Sequence, residues 1–401
     1  MVSRVTNTML QNTLLSNLSF NLGRMDKLQN QMSSGRKYGH ISDDPSALIY
    51  GQAARNKLAR LSHYQDTVST AQSWLTQAEA GVMELQKVVG AVYEELVSAG
   101  SVKTDDDKKK LGMVVDQLRS HYLDTLNTSF GDRFVFGGYN TPGDFAVGRA
   151  PEIKPFTIDD NGHMLFNGFN ISQFDGVPSR LLTTDFSGMT RQEALDKIND
   201  LGIDIHTDVL PIVNANNGID PSDPGMDANA FIDELLTLHN LLGDVKSLDV
   251  GPGINMDVTL NGIDILFYTA QHEDGHSISR NTFDMLSEVY NAINGIDTGD
   301  EATSEDPLGT NELTKLITLV QGSQNHLLTK AAEIGGRQRR LELLEARYET
   351  DTLNYEKMRS DAEDADMAEV IMYLKMAETV YQAALSAGAR VIQPTLMDFL
   401  R

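Results

Sequence analysis

Two short clusters of histidine and carboxylate residues contain the side chains that could bind a metal ion. Residues 272–276 (His-Glu-Asp-Gly-His) match the H-E-x-x-H pattern, in which two helical histidines bind zinc and the glutamate acts as general base. Here the pattern follows a predicted strand at 263–270 and contains Asp274-Gly275, which favours a turn, so we interpret it as a polar loop. The acids at 220–227 could hold calcium, but their spacing differs from an EF-hand loop, and we interpret them as an acidic loop.

The other residue types leave little room for catalysis. The chain has no cysteine, which excludes disulfides, thiolate metal sites and a cysteine nucleophile. It also has no phosphate-binding glycine loop and no G-x-S-x-G motif. We therefore predict no catalytic residue, no cofactor and no metal site. A metalloprotease in the middle of the chain is kept as the one enzymatic alternative.

Charge is distributed unevenly along the 401 residues. Residues 140–310 carry 7 Lys+Arg against 29 Asp+Glu, whereas the rest of the chain carries 26 against 28. This predicts an acidic, well-solvated middle domain and nearly neutral ends suited to packing against copies of the same chain. Since phosphate binding needs a basic surface, nucleic acid is not expected as a partner.

The hydropathy pattern predicts neither a membrane span nor a cleaved signal peptide. No apolar run reaches 18 residues, so we expect no membrane insertion. The first ten residues lack the basic and then apolar order of a signal peptide. Export, if it occurs, is expected to use another route.

Long helices are predicted on both sides of the middle region. A first helix covers residues 6–33, and the cap sequence Ser42-Asp43-Asp44-Pro45 starts a second that extends to about Ala99. Residues 104–127 form a third helix, and helical pattern returns at residue 310 or 311 and continues nearly to the end. The second helix has an apolar residue at every seventh position, which predicts coiled-coil packing: Ala54, Leu61, Val68, Leu75, Val82, Val89 and Leu96.

The row of residues that begins at Val320 has the same seven-residue spacing, but the row four positions further on is mostly polar (Gln324, Gln338, Glu345). Polar residues in a seam fix register and partner choice at a cost in stability. This fits a helix whose packing is completed by other molecules. The alternative is a bundle with one half-solvated helix.

Turn chemistry replaces helical periodicity in the middle of the chain. We predict hairpins at 156–166, turning through Asp159–Gly162, and at 256–268, turning at Asn261-Gly262. Short helices are predicted at 190–201, 227–242 and 279–293, and an acidic linker at 297–309. The predicted fold is mainly α, with an inserted α+β domain.

The two ends of the chain carry matching apolar seams. With residues three and four apart, each seam needs another helix to cover it, so we predict that the terminal helices pair antiparallel. The predicted domains are 1–41 with 365–401, 42–139 with 310–364, and 140–309. The seam residues, which we also predict to contact neighbouring subunits, are Leu14, Leu18, Met25, Leu28, Met32, Val370, Leu374, Ala377, Tyr381, Ala384, Val391, Leu396 and Phe399.

Five motifs resemble the flagellin superfamily of axial bacterial proteins, over residues 1–139 and 311–401. The opening motif at residues 4–9, the segment at 28–36 ending in Ser-Ser-Gly-Arg, and the acidic pair at 42–45 are similar to the start of that superfamily. The turn at 131–139 and the ending at 393–400 (Gln-Pro-Thr-Leu-Met-Asp-Phe-Leu) are more similar to its hook–filament junction members than to flagellins.

The resemblance implies a structural protein of the bacterial flagellum that is secreted by the flagellar export apparatus. Its implied partners are copies of itself in a ring or layer, the first hook-associated protein, flagellin and an export chaperone. It would act as an adaptor between hook and filament, and its seams would be covered fully only on assembly. The remaining alternatives are a flagellin filament subunit and the first hook-associated protein.

Overall fold

The computed structural model describes residues 7–39, 43–100, 104–131, 133–138, 154–219, 225–243, 247–272, 276–295 and 310–391. The predicted linker at 297–309, the sequence motif at 393–400 and residues 4–6 of the motif at 4–9 lie outside these residues. Two compact units are formed. Unit 1 comprises residues 1–65 and 345–401, and unit 2 comprises residues 66–344.

The long helices confirm the predicted helical ends. Their bounds are α1 (Asn7–Ser34), α2 (Pro45–Ala99), α3 (Asp105–Leu126), α10 (Thr310–Glu363) and α11 (Met367–Val391). Helix α2 starts at the predicted cap: Asp44 Oδ1 accepts the N–H of Ala47 at 3.0 Å and of Ser46 at 3.1 Å. These hydrogen bonds, among which the one from Ala47 has the largest effect, hold the pKa of the Asp44 carboxyl below its usual range.

One continuous helical pattern from residue 310 nearly to the end was predicted, and this is wrong at one place. Helix α10 ends at Glu363 and α11 begins at Met367. The Asp366 carboxylate accepts the N–H groups of Ala368 at 2.9 Å and Glu369 at 3.2 Å, so it caps a new helix. The break is therefore encoded by an acid that competes with the helical backbone.

In unit 2, α2 and α10 lie side by side and antiparallel. The α2 residues of the seven-residue row are buried, as predicted. Gln321 reaches Tyr93 at 3.5 Å, and Gln338 donates to the Glu79 carboxylate at 3.0 Å. Gln338 of the polar row on α10 is therefore directed at α2 of the same chain.

The turn after α3 is held against α2 by an aromatic side chain. Strands β1 (Ser129–Phe130) and β2 (Arg133–Phe134) pair antiparallel, and the ring of Phe136 follows, fully buried. A Cβ at Gly81 would lie 2.7 Å from that ring. Glycine is thus needed inside α2 to let Phe136 approach the helix, whatever it costs in helix propensity.

Small antiparallel sheets occupy the middle of the chain. The strands are β3 (Phe156–Ile158), β4 (Met164–Phe166), β5 (Phe169–Asn170), β6 (Ser247–Gly251), β7 (Ile254–Asp257), β8 (Phe267–Gln271) and β9 (Ser277–Asn281). They form the orders β3-β4-β5, β6-β7 and β8-β9. The predicted hairpin at 156–166 is confirmed, with Phe156 opposite Phe166.

The second predicted hairpin, 256–268, is wrong. Strand β7 pairs with β6 before it, and the Asn261 side chain accepts the N–H of Ile263 at 3.0 Å. Asn261 therefore caps a short helix instead of turning a hairpin, because an asparagine side chain can replace the first missing helical acceptor. That helix takes the first part of the strand predicted at 263–270, and β8 then pairs with β9.

Short helices connect and cover these sheets. Their bounds are α4 (Arg180–Thr183), α5 (Arg191–Asp200), α6 (Leu210–Asn216), α7 (Ala228–Gly243), α8 (Gly262–Leu266) and α9 (Thr282–Asn294). Helix α5 carries a full capping box between Thr190 and Glu193. The helices predicted at 190–201 and 227–242 are confirmed, whereas the one predicted at 279–293 starts at Thr282 because residues 277–281 pair as β9.

The core of unit 2 is aromatic and aliphatic, and α9 is packed on α3. The largest fully buried side chains include Tyr122 of α3 and Phe283 of α9. Arg119 spans the contact: its Nη1 donates to Ser287 Oγ at 3.2 Å and its guanidinium lies 5.7 Å from the Phe283 ring centre. Among the helices that the structure describes, none has the length and apolar character needed to cross a membrane.

Candidate assembly surface of the terminal helices

Helices α1 and α11 pair antiparallel within unit 1. Leu28 of α1 is buried with Val370, Leu374 and Ala377 of α11, and Met25 packs against this cluster. At the other end of the pair, a Cβ on Gly388 would lie 2.7 Å from the Leu14 side chain. The small residues in the α11 seam therefore allow α1 to approach closely.

The structure places the predicted seam between the two ends of one chain. Leu28, Val370, Leu374 and Ala377 are buried, while Leu14, Leu18, Met25, Tyr381 and Ala384 are half-buried and Met32 is 37% exposed. The side chain of Val391, together with Leu396 and Phe399, lies outside the described residues. A direct contact of these residues with a neighbouring subunit stays a prediction.

Backbone hydrogen bonds join the end of α1 to the break between α10 and α11. The N–H of Lys37 donates to the Glu363 carbonyl at 2.8 Å, and the N–H of Ala365 donates to the Gly35 carbonyl at 2.9 Å. Lys37 Nζ adds a bond to the Asp361 carbonyl at 2.6 Å. We call this set of bonds between residues 35–37 and 361–365 the clasp.

A buried carboxylate ties the clasp to α2. The Glu363 side chain is only 8% exposed and accepts Arg55 Nε at 3.1 Å, with a second bond from Arg55 Nη2. The hydrogen bond to Glu363 raises the pKa of Arg55. A Cβ at Gly51 would lie 2.5 Å from Glu363 Oε1, so glycine leaves the space that the carboxylate occupies.

Burial and the Glu363 charge raise the pKa of the Tyr38 hydroxyl, which donates to the Ala47 carbonyl at 3.2 Å. Tyr38 therefore stays a neutral donor that ties the loop after α1 to the first turn of α2. This side chain, Arg55 and Glu363 were all missed by the search for apolar seams. The sequence signal that could have found them is the pair of Gly51 and Arg55, which lie four residues apart inside one helix.

Unit 1 exposes much apolar surface beyond the paired seam. Of the 23 large apolar side chains that are exposed in the described part of the chain, fifteen belong to unit 1. We call these residues the outer apolar set: Met9, Leu15, Phe20, Leu22, Met32, Ile49, Tyr50, Leu353, Met358, Met367, Ile371, Met372, Met376, Val380 and Leu385. An exposed apolar surface of this extent is typical of a protein–protein contact. Sequence reasoning identified only Met32 among them.

The two clusters considered for metal binding have other geometry. His272 and His276 lie at the base of the β8–β9 turn, where the N–H of His272 donates to the His276 carbonyl at 2.8 Å, so they do not share a helical face. Residues 273–275 and 220–224 lie outside the described part. Asp227, the described acid of the second cluster, accepts the N–H of Ala230 at 2.6 Å and caps α7. Within the residues that the structure describes, no group of three His, Asp or Glu side chains could hold a metal.

A charge cluster lies in unit 2, under β9 and α9. The Arg280 guanidinium is 3.5 Å from the Asp175 carboxylate and 2.5 Å from that of Glu288. Asp284 accepts the Ser172 hydroxyl at 3.0 Å, and its Oδ2 is buried with no hydrogen-bond partner among the described residues. Burial raises the pKa of both Asp284 and Asp175, and for Asp284 the Asp175 charge adds to it.

The chain is similar to several known flagellar proteins. Residues 5–141 match the model of the bacterial flagellin N-terminal helical region. Flagellar hook-associated protein 3 of Salmonella typhimurium is 26% identical over 180 residues, which cover 41% of this chain and 57% of that protein. Flagellin of Bacillus subtilis is 25% identical over 240 residues, covering 58% and 74%. A solved flagellar hook-associated protein from Vibrio parahaemolyticus has a TM-score of 0.49 at 14% identity, covering 80% of this chain and 100% of that one.

The flagellin helical region and these relatives make the chain similar to axial proteins of the bacterial flagellum that belong to the flagellin superfamily. The resemblance found in the sequence is thereby confirmed. Within the superfamily the chain is similar to flagellar hook-associated protein 3, although it spans little more than half the length of the Salmonella relative that it matches.

Proposed function

We propose that this chain is a non-enzymatic subunit of the junction between the flagellar hook and filament. It would act as an adaptor, contacting the first hook-associated protein on one side and flagellin on the other. Copies of the chain would lie beside one another in a ring or layer. The protein would reach this place outside the cell by flagellar export, held before export by a chaperone.

The outer apolar set of unit 1 is the observation that carries this proposal. The α1–α11 pair already covers its own seam, so the exposed residues are a second surface that another molecule can cover. Burying a large apolar side chain contributes about 1.5–3 kcal/mol. Several such residues from each copy would therefore supply ample free energy for assembly, once the cost of ordering side chains is subtracted.

The test separates the outer apolar set from the fold of the chain. Phe20, 73% exposed, and Met376, 53% exposed, are each changed to Asp. Both variants are expected to keep the helical content and unfolding midpoint of the parent chain but to fail in restoring motility to a strain that lacks the gene. Met113→Asp is the matched control, because Met113 is 66% exposed but lies on α3 of unit 2. Motility restored by both Phe20→Asp and Met376→Asp would overturn the proposal.

A flagellin filament subunit is the second candidate, favoured by the match that covers 74% of the Bacillus flagellin. The two functions differ in polymerisation. A junction subunit should add only a short, limited layer when purified protein is mixed with isolated hooks. Growth of long filaments from the same hooks, seen by electron microscopy, would support the filament subunit instead.

A further inference from the structure

Methionine is the most frequent residue in the outer apolar set of unit 1. Six of the fifteen members are methionines: Met9, Met32, Met358, Met367, Met372 and Met376. Of the eight exposed methionines in the described part of the chain, only Met83 and Met113 lie in unit 2. Because the chain has no cysteine, the methionine thioethers are its only sulfur groups. The sulfur atoms that an oxidant can reach are therefore concentrated on the surface proposed for assembly.

Two of these methionines form a pair on the outer face of α11. Met372 and Met376 are each 53% exposed, and residues four apart in a helix lie side by side on one face. Leu374, between them in sequence, is buried with Leu28 of α1. Since two residues span about 200° around a helix, the methionine pair faces away from α1, where another molecule can cover it.

We propose that Met372 and Met376 form a modification site at which a peroxide controls assembly, an inference that rests on the proposed function of the outer apolar set. A thioether is apolar and polarisable and packs well against another protein. Its sulfoxide is polar, and burying it without a hydrogen-bond donor is unfavourable. Oxidation of the pair therefore opposes its burial by a partner. The isolated chain keeps its fold, because both side chains are solvated there.

The modification needs only the peroxide as co-reactant. The thioether sulfur attacks one peroxide oxygen, so that an S–O bond forms while the O–O bond breaks. The hydroxide that leaves takes the proton of the transferred oxygen and becomes water; the sulfur is oxidised and the peroxide is reduced. Methionine sulfoxide reductases reverse the change. Since a partner that covers the pair also shields its sulfur atoms, the site is sensitive before assembly and protected after it.

Limited treatment of the purified chain with hydrogen peroxide tests the proposal. Peptide mass mapping should find sulfoxide at Met372 and Met376 well before the fully buried Met164 and Met285 are oxidised, and the thermal midpoint should not change. The chain is then mixed with isolated hooks that carry the first hook-associated protein, and the bound amount is measured by sedimentation. Affinity should fall about tenfold or more and return after treatment with the two methionine sulfoxide reductases.

Leucine substitutions assign the effect to the pair. Met372→Leu combined with Met376→Leu keeps an apolar surface without sulfur, so hook binding should survive peroxide. Met83→Leu combined with Met113→Leu is the matched control, because these methionines are 40% and 66% exposed but belong to unit 2; this variant should lose binding as the parent does.

The outcomes separate this inference from the proposed function. Equal losses in the two double variants, or hook binding by the parent chain that persists once Met372 and Met376 are oxidised, would overturn the modification site and leave the junction role intact. Failure of the untreated parent to bind hooks would overturn the junction role and, with it, the control of assembly at this site.

Discussion

The buried carboxylate of Glu363 forms an ion pair with Arg55, whose side chain is 40% exposed, between positions 308 residues apart in the sequence. The carboxylate lies directly against the backbone of Gly51, one helical turn before Arg55. The backbone carbonyl of the same glutamate accepts the N–H of Lys37 in the clasp. One residue therefore joins the end of α10 to both α2 and the end of α1.

Neutralising this carboxylate is expected to loosen unit 1. Glu363→Gln leaves the Arg55 guanidinium without its charged partner, and we expect a loss of about 1–2 kcal/mol, reduced because Arg55 is partly exposed. Amide hydrogen exchange measured across α11 and the clasp should be faster. Glu342→Gln is the control, because Glu342 forms an exposed pair with Arg339 and should change exchange very little. Equal effects of the two substitutions would contradict the role given to the buried pair.

The space beside Gly51 should be as important for the stability of unit 1 as the Glu363 charge that occupies it. Gly51→Ala places a Cβ 2.5 Å from Glu363 Oε1 and should destabilise unit 1 by about 1–3 kcal/mol through overpacking. In the double variant with Glu363→Gln the two losses should add to less than their sum, since both act on one contact. Urea unfolding of the four proteins measures this coupling. Full additivity would mean that Gly51 acts elsewhere.

An acid placed in the seam should separate the terminal helices. Leu374→Asp puts a carboxylate among Leu28, Val370 and Ala377, where ionisation without a partner costs about 3 kcal/mol or more. We expect α1 and α11 to become sensitive to limited proteolysis while unit 2 keeps its resistance. Loss of motility should follow. Normal motility with a protease-sensitive α11 would show that pairing within the chain is dispensable for assembly.

The buried carboxylate of Asp284 should make the stability of unit 2 depend on pH. Burial raises its pKa to about 8, above the value of about 3.9 for an unfolded Asp. The folded state therefore holds a proton that the unfolded state releases, and stability falls as pH rises from about 4 to 8. Asp284→Asn should raise the free energy of unfolding by on the order of 2 kcal/mol at pH 8 and very little at pH 4.

Thermal unfolding of unit 2 between pH 4 and 8 measures this effect. Asp160→Asn, in the exposed turn between β3 and β4, is the control. A gain that is equal at both pH values would mean that the substitution acts through packing and not through ionisation.

Periodic burial could be predicted from the sequence, whereas polar contacts between distant residues could not. The seven-residue row of α2 and the seam of α1 and α11 are set by which residues share a helical face. The structure buries the α2 row and the part of the seam formed by Leu28, Val370, Leu374 and Ala377. Asn261 followed by Gly262 was assigned to a hairpin turn because that pair is frequent there, yet its side chain caps a helix equally well. Local sequence does not distinguish these two uses of asparagine.

The outer apolar set was missed for a related reason. Helix α11 is apolar on more than one face, with Leu374 and Ala377 buried and Ile371, Met372 and Met376 exposed. A search for one seam finds the face that a second helix of the same chain covers. A helix that is apolar nearly all round instead indicates that further partners surround it.

The separation of Glu363 from Arg55 also fixes an order of events during synthesis. Residues 66–344 are complete and can begin to fold while residues 345–363 of α10 and all of α11, which belong to unit 1, have yet to be made. Unit 1 must then close a loop of about 300 residues, an entropic cost that increases only slowly with length. The surface that we propose for assembly is therefore finished last, when the rest of the molecule has already been translated.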